Sequence, residues 1–132
     1  MTTLVLIRHG QTDWNTEGRW QGQADPLLNE HGREQARQVA QELEQQNQVA
    51  LYSSDLRRAM ETAQIIGTQL NLHVIPEPRL REINLGLWQG LLSTEIQKQY
   101  PREFREWHTS PLNVFPPGGE GIPALAARVL QG

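Results

Sequence analysis

A short apolar run near the amino end stops at residues suited to phosphoryl chemistry. Residues Leu4–Ile7 are aliphatic, and Arg8, His9 and Gly10 follow them. A guanidinium can hold a phosphate through two hydrogen bonds, and an imidazole beside it can act as a nucleophile or an acid–base group. Glycine lets the backbone turn and approach a ligand closely. Because so short a motif also arises by chance, these residues suggest a site without establishing one.

Two further charged residues are predicted to lie near this tripeptide. Arg58 falls in the first turn of a predicted helix, where backbone N–H groups and the helix dipole favour an anion. Glu82 follows a predicted strand, and a carboxyl group near a phosphate can carry the proton for a leaving oxygen. Considered separately, Arg58 is better explained as a solvated helix charge beside Arg57, and Glu82 as a plain surface carboxylate.

The elements that must position these side chains alternate between strand and helix patterns. The predicted strands are Leu4–Ile7, Val49–Tyr52 and Leu72–Ile75. The predicted helices between them run from an Asn29 N-cap to about Gln46, and over Asp55–Leu70 with Ser53 or Ser54 as the cap. This order predicts an α/β fold with a mostly parallel sheet and helices on its faces, and it brings His9, Arg58 and Glu82 to one edge of the sheet.

The remaining segments are loops and shorter helices. Gln11–Leu28 has no steady hydrophobic period and is predicted to be a long binding loop. Short helices are expected over Ser93–Tyr100, Arg102–Trp107 and Ala124–Leu130. We expect all 132 residues to form a single domain.

Composition excludes several other classes of function. Twelve basic residues against fifteen acidic ones give a net charge of −3, which indicates no nucleic-acid surface. The absence of cysteine excludes disulfides, thiolate metal sites and a cysteine nucleophile. No H-E-x-x-H spacing occurs, so neither a metal nor a cofactor is expected. The apolar run has no basic leader and is too short to cross a membrane, so we expect a cytoplasmic protein without a membrane partner.

Five stretches in order along nearly the whole chain resemble the histidine phosphatase superfamily, also called the phosphoglycerate mutase-like family. Each stretch alone is a weak signal, whereas five at compatible spacings are highly specific. The stretches are Leu4–Asn15, Gly18–Gly22, Leu28–Ala36, Tyr52–Ala59 and Leu80–Gly86.

The resemblance implies a role for each candidate residue. His9 would be the nucleophile that becomes phosphohistidine, with Arg8 and Arg58 gripping the phosphoryl oxygens and Glu82 donating the proton. Three more residues would border the phosphate or the substrate; they are Asn15, Gln21 and Gly22. The implied fold is the three-layer α/β/α sandwich of phosphoglycerate mutases, and the implied substrate is a small phosphorylated metabolite.

Within the family the chain looks like the compact phosphatase branch, with two departures. The mutases carry a longer insertion between the Gly86–Gly90 and Pro117–Glu120 tracts, which is missing here. Family phosphatases usually have Ser where Gly121 stands. The family also has a second catalytic His on a later strand that pairs beside the first, and this sequence stops at Gly132 before any such motif. We therefore expect a carboxyl-terminally truncated, incomplete domain whose first strand has an unpaired edge.

Three functions stay open at this point. The resemblance favours a metal-independent phosphomonoester hydrolase. A catalytically impaired remnant that binds phospholigands is compatible with the missing second His. A phosphomutase of the phosphoglycerate mutase type is the least favoured of the three. The sequence identifies neither the substrate nor the oligomeric state.

Overall fold

The computed structural model describes all 132 residues, and its two paired strands lie between residues 51 and 76. Strand β1 (Leu51–Ser53) runs parallel to β2 (Val74–Pro76), with Leu51 opposite Val74. Helix α3 (Arg57–Leu70) connects the two strands and contacts both of them. Parallel strands joined by a helix confirm the predicted α/β class.

The prediction of a strand over Leu4–Ile7 is wrong. Residues 1–10 are assigned no helix or strand, and residues 1–9 make no backbone–backbone hydrogen bond. A strand is defined by its ladder to a neighbour, and β1 pairs only with β2. Leu4 and Leu6 are 79% and 85% exposed, so the apolar face is uncovered as expected, whereas both edges of the segment lack a backbone partner and not only one.

Helix α2 (Glu30–Leu43) packs against α3 and forms the core next to the sheet. Asn29 caps α2 as predicted, because its side chain accepts a hydrogen bond from the Gly32 N–H at 2.9 Å. The core between the two helices has three buried residues, Ala40 and Leu43 of α2 and Ile66 of α3. The predicted serine cap of α3 is displaced: the N-cap is Leu56, whose N–H donates to the Ser54 hydroxyl at 3.2 Å.

The segment predicted as a long loop contains a short helix, α1 (Asp13–Glu17). Thr12 and Asn15 cap it reciprocally, since the Thr12 hydroxyl accepts from the Asn15 N–H and the Asn15 side chain accepts from the Thr12 N–H. Gly18 ends the helix in the left-handed region, with φ of 76°. Periodicity could not reveal a helix of one turn, but the capping residues could have.

The second half of the chain packs around a different core. Its helices are α4 (Ser93–Gln99), α5 (Pro101–Thr109) and α6 (Ile122–Leu130), with 3₁₀ turns at Pro78–Leu80, Gly86–Trp88 and Pro111–Asn113. Trp88 and Ile96 are fully buried at the centre of this core. Trp20 packs edge-on against Trp88, with 5.7 Å between ring centroids. This contact attaches the segment that follows α1 to the second core. None of the helices is long and apolar enough to cross a membrane.

Candidate active site

The segment carrying Arg8 and His9 is fixed at Gly10. The Gly10 N–H donates to the Thr62 hydroxyl of α3 at 3.0 Å, and Thr62 in turn donates to the Arg58 carbonyl. A Cβ at Gly10 would lie 2.4 Å from the Gly32 carbonyl oxygen, so only glycine fits against the first turn of α2. These contacts hold His9 beside α3 although no sheet partner holds the residues before it.

His9, Arg58 and Glu82 form one hydrogen-bonded chain. Arg58 Nε lies 3.3 Å from His9 Nε2, and Arg58 Nη2 lies 2.8 Å from a Glu82 carboxylate oxygen. His9 Nδ1 lies 2.6 Å from the Gly10 carbonyl oxygen. Because a carbonyl only accepts, Nδ1 carries the proton and Nε2 holds the lone pair. The imidazole is therefore in the tautomer that a nucleophilic Nε2 requires.

Arg58 is buried and preorganised. Its side chain is 1% exposed, and Nη1 and Nη2 donate to the carbonyls of Ala24 and Gly22 at 2.7 and 2.6 Å. These bonds fix the guanidinium plane before any ligand arrives. The prediction that Arg58 belongs to the site rather than to a solvated helix face agrees with this burial, whereas Arg57 is exposed.

Two members of this chain, His9 and Glu82, line a cavity of about 460 Å³, and the buried Arg58 joins them from behind. Arg8 is exposed there and makes no hydrogen bond within the protein, so its guanidinium is free to bind an anion. The residues lining the cavity are Arg8, His9, Arg19, Trp20, Gln21, Glu82 and Leu85.

The three predicted border residues contribute in different ways. Gln21 lines the cavity, and its side-chain oxygen accepts from Thr12 at 2.7 Å, which leaves the amide nitrogen to donate to a ligand. Gly22 contributes its carbonyl, which holds Arg58. Asn15 does not line the cavity; its side-chain oxygen accepts from the Thr12 N–H at 2.8 Å, and through Thr12 it supports Gln21.

The environment of His9 favours the neutral imidazole. Burial lowers the pKa of His9 below its ordinary value of 6.5, and the nearby positive charges of Arg58 and Arg8 lower it further. The Gly10 hydrogen bond and the Glu82 carboxylate oppose this change without reversing it. A neutral imidazole at neutral pH is the form that can attack phosphorus.

This chain matches the sequence model of the histidine phosphatase superfamily (branch 1) over residues 4–132. It belongs to that superfamily. Phosphoserine phosphatase 1 of Hydrogenobacter thermophilus is 43% identical over 129 residues, which are 98% of this chain and 61% of that protein. Phosphoglycerate mutase-like protein 4 of Arabidopsis thaliana is 41% identical over 128 residues, which are 95% of this chain and 56% of that protein.

A solved structure of mycobacterial glucosyl-3-phosphoglycerate phosphatase complexed with VO3 has the same fold as this chain. The TM-score is 0.85 at 42% identity, covering 92% of this chain and 60% of that one. The chain thus spans about 60% of the length of these relatives.

Sequence reasoning missed several contributors to this candidate site. Arg19 and Trp20 line the cavity, and the only available signal was their place in the same short motif as Gln21. Thr62 anchors Gly10 from the middle of α3, where no sequence pattern distinguishes it from other helix residues. Contacts of that kind depend on how two segments pack and not on local spacing.

The lowered pKa of His9 predicts where kcat/KM falls on the acid side of its pH profile. The acid limb of kcat/KM that reports His9 should lie below pH 6.5, because the imidazole stays neutral there. The unfolded chain binds this proton more readily, so acidification through pH 6.5 should also lower the free energy of unfolding. NMR titration of the His9 ring measures the shift, and the His9→Ala variant assigns the resonance. A His9 midpoint at or above 6.5 would contradict the prediction.

Proposed function

We propose that this chain carries the phosphoryl-transfer core of a metal-independent phosphomonoester hydrolase that works through phosphohistidine on His9. The observation that carries the proposal is the chain from His9 Nε2 through buried Arg58 to Glu82, at the rim of a cavity that also exposes Arg8. The proposed nucleophile, the anion-binding guanidinium and the proton donor therefore belong to one hydrogen-bonded group. The family membership and the phosphatase names among the relatives support the same reading.

In the first step, the Nε2 lone pair attacks phosphorus in line, the N–P bond forms and the ester P–O bond breaks. Arg8 and Arg58 neutralise the phosphoryl oxygens, where negative charge is concentrated in a loose transition state. An incoming phosphate dianion competes with Glu82 for Arg58 and adds negative charge beside its carboxylate. The Glu82 carboxyl then passes a proton taken from solvent to the leaving oxygen.

In the second step, water replaces the histidine on phosphorus. The Glu82 carboxylate takes a proton from the attacking water, the new P–O bond forms, and the N–P electron pair returns to Nε2. Inorganic phosphate leaves, and His9 and protonated Glu82 are restored for the next ester. Two guanidinium groups supply the charge neutralisation, so the scheme requires no metal ion.

We propose a small phosphorylated metabolite as the substrate. A cavity of about 460 Å³ holds a phosphate with a small alcohol attached, and its lining is mostly polar. Phosphoserine and glucosyl-3-phosphoglycerate appear in the names of relatives and show the size range of such esters.

A phosphomutase is the second candidate, because one similar protein is named phosphoglycerate mutase-like. It would form the same phosphohistidine and differ only in the acceptor, a substrate hydroxyl instead of water. Incubation with a phosphodonor and excess phosphoglycerate distinguishes the two. Inorganic phosphate as the product supports the hydrolase, and interconverted phosphoglycerates support the mutase.

Replacing His9 tests the proposal through turnover. His9→Ala should lower phosphate release from 4-nitrophenyl phosphate by at least about 10³-fold, because the nucleophile is gone while the arginines remain. His31→Ala, at an exposed position on α2, is the matched control and should retain full turnover. Release by His9→Ala at the unsubstituted rate would overturn the proposed function.

A further inference from the structure

One arginine of α6 holds the backbone of the loop that carries Glu82. Arg128 Nη1 donates to the carbonyls of Arg79 and Arg81 at 2.9 and 2.8 Å, and Nη2 lies 3.4 Å from the carbonyl of Glu82 itself. Its side chain is about one-fifth exposed. A single guanidinium therefore contacts three carbonyls within four residues, from two nitrogens held in one rigid plane.

Glu120 extends this contact to the other side of Glu82. Its carboxylate pairs with Arg128 Nη2 and also accepts from the Asn84 N–H at 2.9 Å. The Glu120 N–H donates to the Asn84 carbonyl at 2.9 Å. Together the two side chains of the Arg128–Glu120 pair contact the backbone on both sides of Glu82, between residues 79 and 84.

Glu82 depends on such support because its own side chain is loosely held. The side chain is 47% exposed, and its single hydrogen bond is to Arg58. A bound phosphate would compete with Glu82 for that guanidinium. Residues 81–85 form no helix or strand, so no ladder fixes the direction of the carboxyl. A catalytic group displaced by about 1 Å loses on the order of 10²-fold in rate.

We infer that Arg128, with Glu120, is a positioning residue that sets where the Glu82 carboxyl meets the leaving-group oxygen. The inference deepens the proposed function and rests on it. Neither residue lines this cavity or the larger groove along residues 3–9 that Arg58 borders, so neither is placed to touch substrate. Their effect should therefore be confined to the step that needs the proton of Glu82.

Two phosphate esters of similar shape isolate that step. The benzyl alkoxide of benzyl phosphate needs a proton as it leaves, whereas the nitrophenolate of 4-nitrophenyl phosphate leaves without one. Glu82→Gln should therefore lower kcat/KM for benzyl phosphate by about 10²-fold or more, and for 4-nitrophenyl phosphate by no more than about 3-fold. Because kcat/KM covers events through the first phosphoryl transfer, hydrolysis of the phosphohistidine does not enter the comparison.

Arg128→Gln should reproduce this selectivity. We expect a loss of about 30-fold or more on benzyl phosphate and less than about 3-fold on 4-nitrophenyl phosphate, with Arg128→Lys between Gln and the unsubstituted chain. The ratio between the substrates does not depend on the fraction of folded protein, so partial unfolding cannot imitate the result. Arg102→Gln, which removes an exposed pair with Glu106 on α5, is the control and should leave the ratio unchanged.

The double variant Arg128→Gln/Glu82→Gln provides an independent check. If Arg128 acts through Glu82, the double variant should be no slower on benzyl phosphate than Glu82→Gln alone. Equal losses on both esters in Arg128→Gln, or additive losses in the double variant, would overturn the positioning role while leaving the proposed function intact. Turnover by the unsubstituted chain that does not depend on His9 would overturn the proposed function, and this inference with it.

Discussion

Arg58→Ala should weaken the binding of inorganic phosphate or vanadate by on the order of 10²–10³-fold, whereas Arg57→Ala should leave it almost unchanged. The two arginines are adjacent on α3, and neighbours on a helix point about 100° apart. Arg58 is buried against His9 and Glu82, while Arg57 is exposed. Only Arg58 can therefore supply a desolvated, preorganised positive charge to an anion at His9.

Calorimetric titration of both variants with phosphate measures this difference. Arg58→Ala also leaves the Gly22 and Ala24 carbonyls without a partner, at about 1–3 kcal/mol each, so its thermal melt must accompany the titration. Arg58→Lys retains the charge in a similar volume and separates lost binding from lost folding. Equal losses at Arg57 and Arg58, or phosphate affinity in folded Arg58→Lys and Arg58→Ala equal to that of the unsubstituted chain, would show that Arg58 does not bind the anion.

Adding the carboxyl-terminal portion of a longer relative should raise both stability and turnover. The structure contains an apolar groove of about 1,020 Å³ between residues 3–9 and β1. Neither the Leu4–Ile7 segment nor the facing edge of β1 has a backbone partner, and Arg58 and Glu82 lie at one end of the groove. One extended strand would satisfy both edges and cover the exposed leucines.

The resemblance implies that such a strand would end in a second histidine beside the phosphate. We expect a chain extended with this portion of the Hydrogenobacter phosphoserine phosphatase to melt cooperatively at higher temperature and to turn over at least about 10²-fold faster. The matched control is the same extension with the histidine of its Ser-His-Gly-like motif replaced by Ala. This control should recover the stability but not the turnover. The comparison separates the effect of filling the groove from the effect of a second histidine beside the phosphate.

A cooperative melt and a turnover that do not change on extension would contradict this prediction. They would mean that the groove needs no strand and that one histidine suffices. The Leu6→Ser variant gives a further check, because an exposed leucine that lines the groove should matter only when the groove is filled. We expect Leu6→Ser to destabilise the extended chain and to leave the 132-residue chain almost unaffected.

The parts of the fold that follow local rules could be predicted from the sequence. The Asn29 cap, the apolar faces of α2 and α3, and the parallel order of β1 and β2 depend on spacing and propensity, and all are present. The element boundaries differ by a few residues, as at the end of α2, because helix ends fray and depend on packing.

Features that depend on distant partners could not be predicted. The Leu4–Ile7 segment has the composition of a strand, but strand formation needs a neighbour that local sequence does not specify. For the same reason, no sequence pattern indicated that Thr62 anchors Gly10 or that Arg128 holds the Glu82 loop. The type of chemistry could be inferred from His9, Arg58 and Glu82, whereas the supporting contacts became visible only in three dimensions.

Mapping the covalent phosphate gives the most direct test of the phosphohistidine mechanism. The chain is mixed with a radiolabelled phosphate ester, quenched in base, and digested, and the labelled peptide is sequenced by mass spectrometry. We expect an acid-labile, base-stable phosphate on the imidazole of His9, and no label in His9→Ala. Acid-stable label, label on any other residue, or undiminished labelling in His9→Ala would contradict the mechanism.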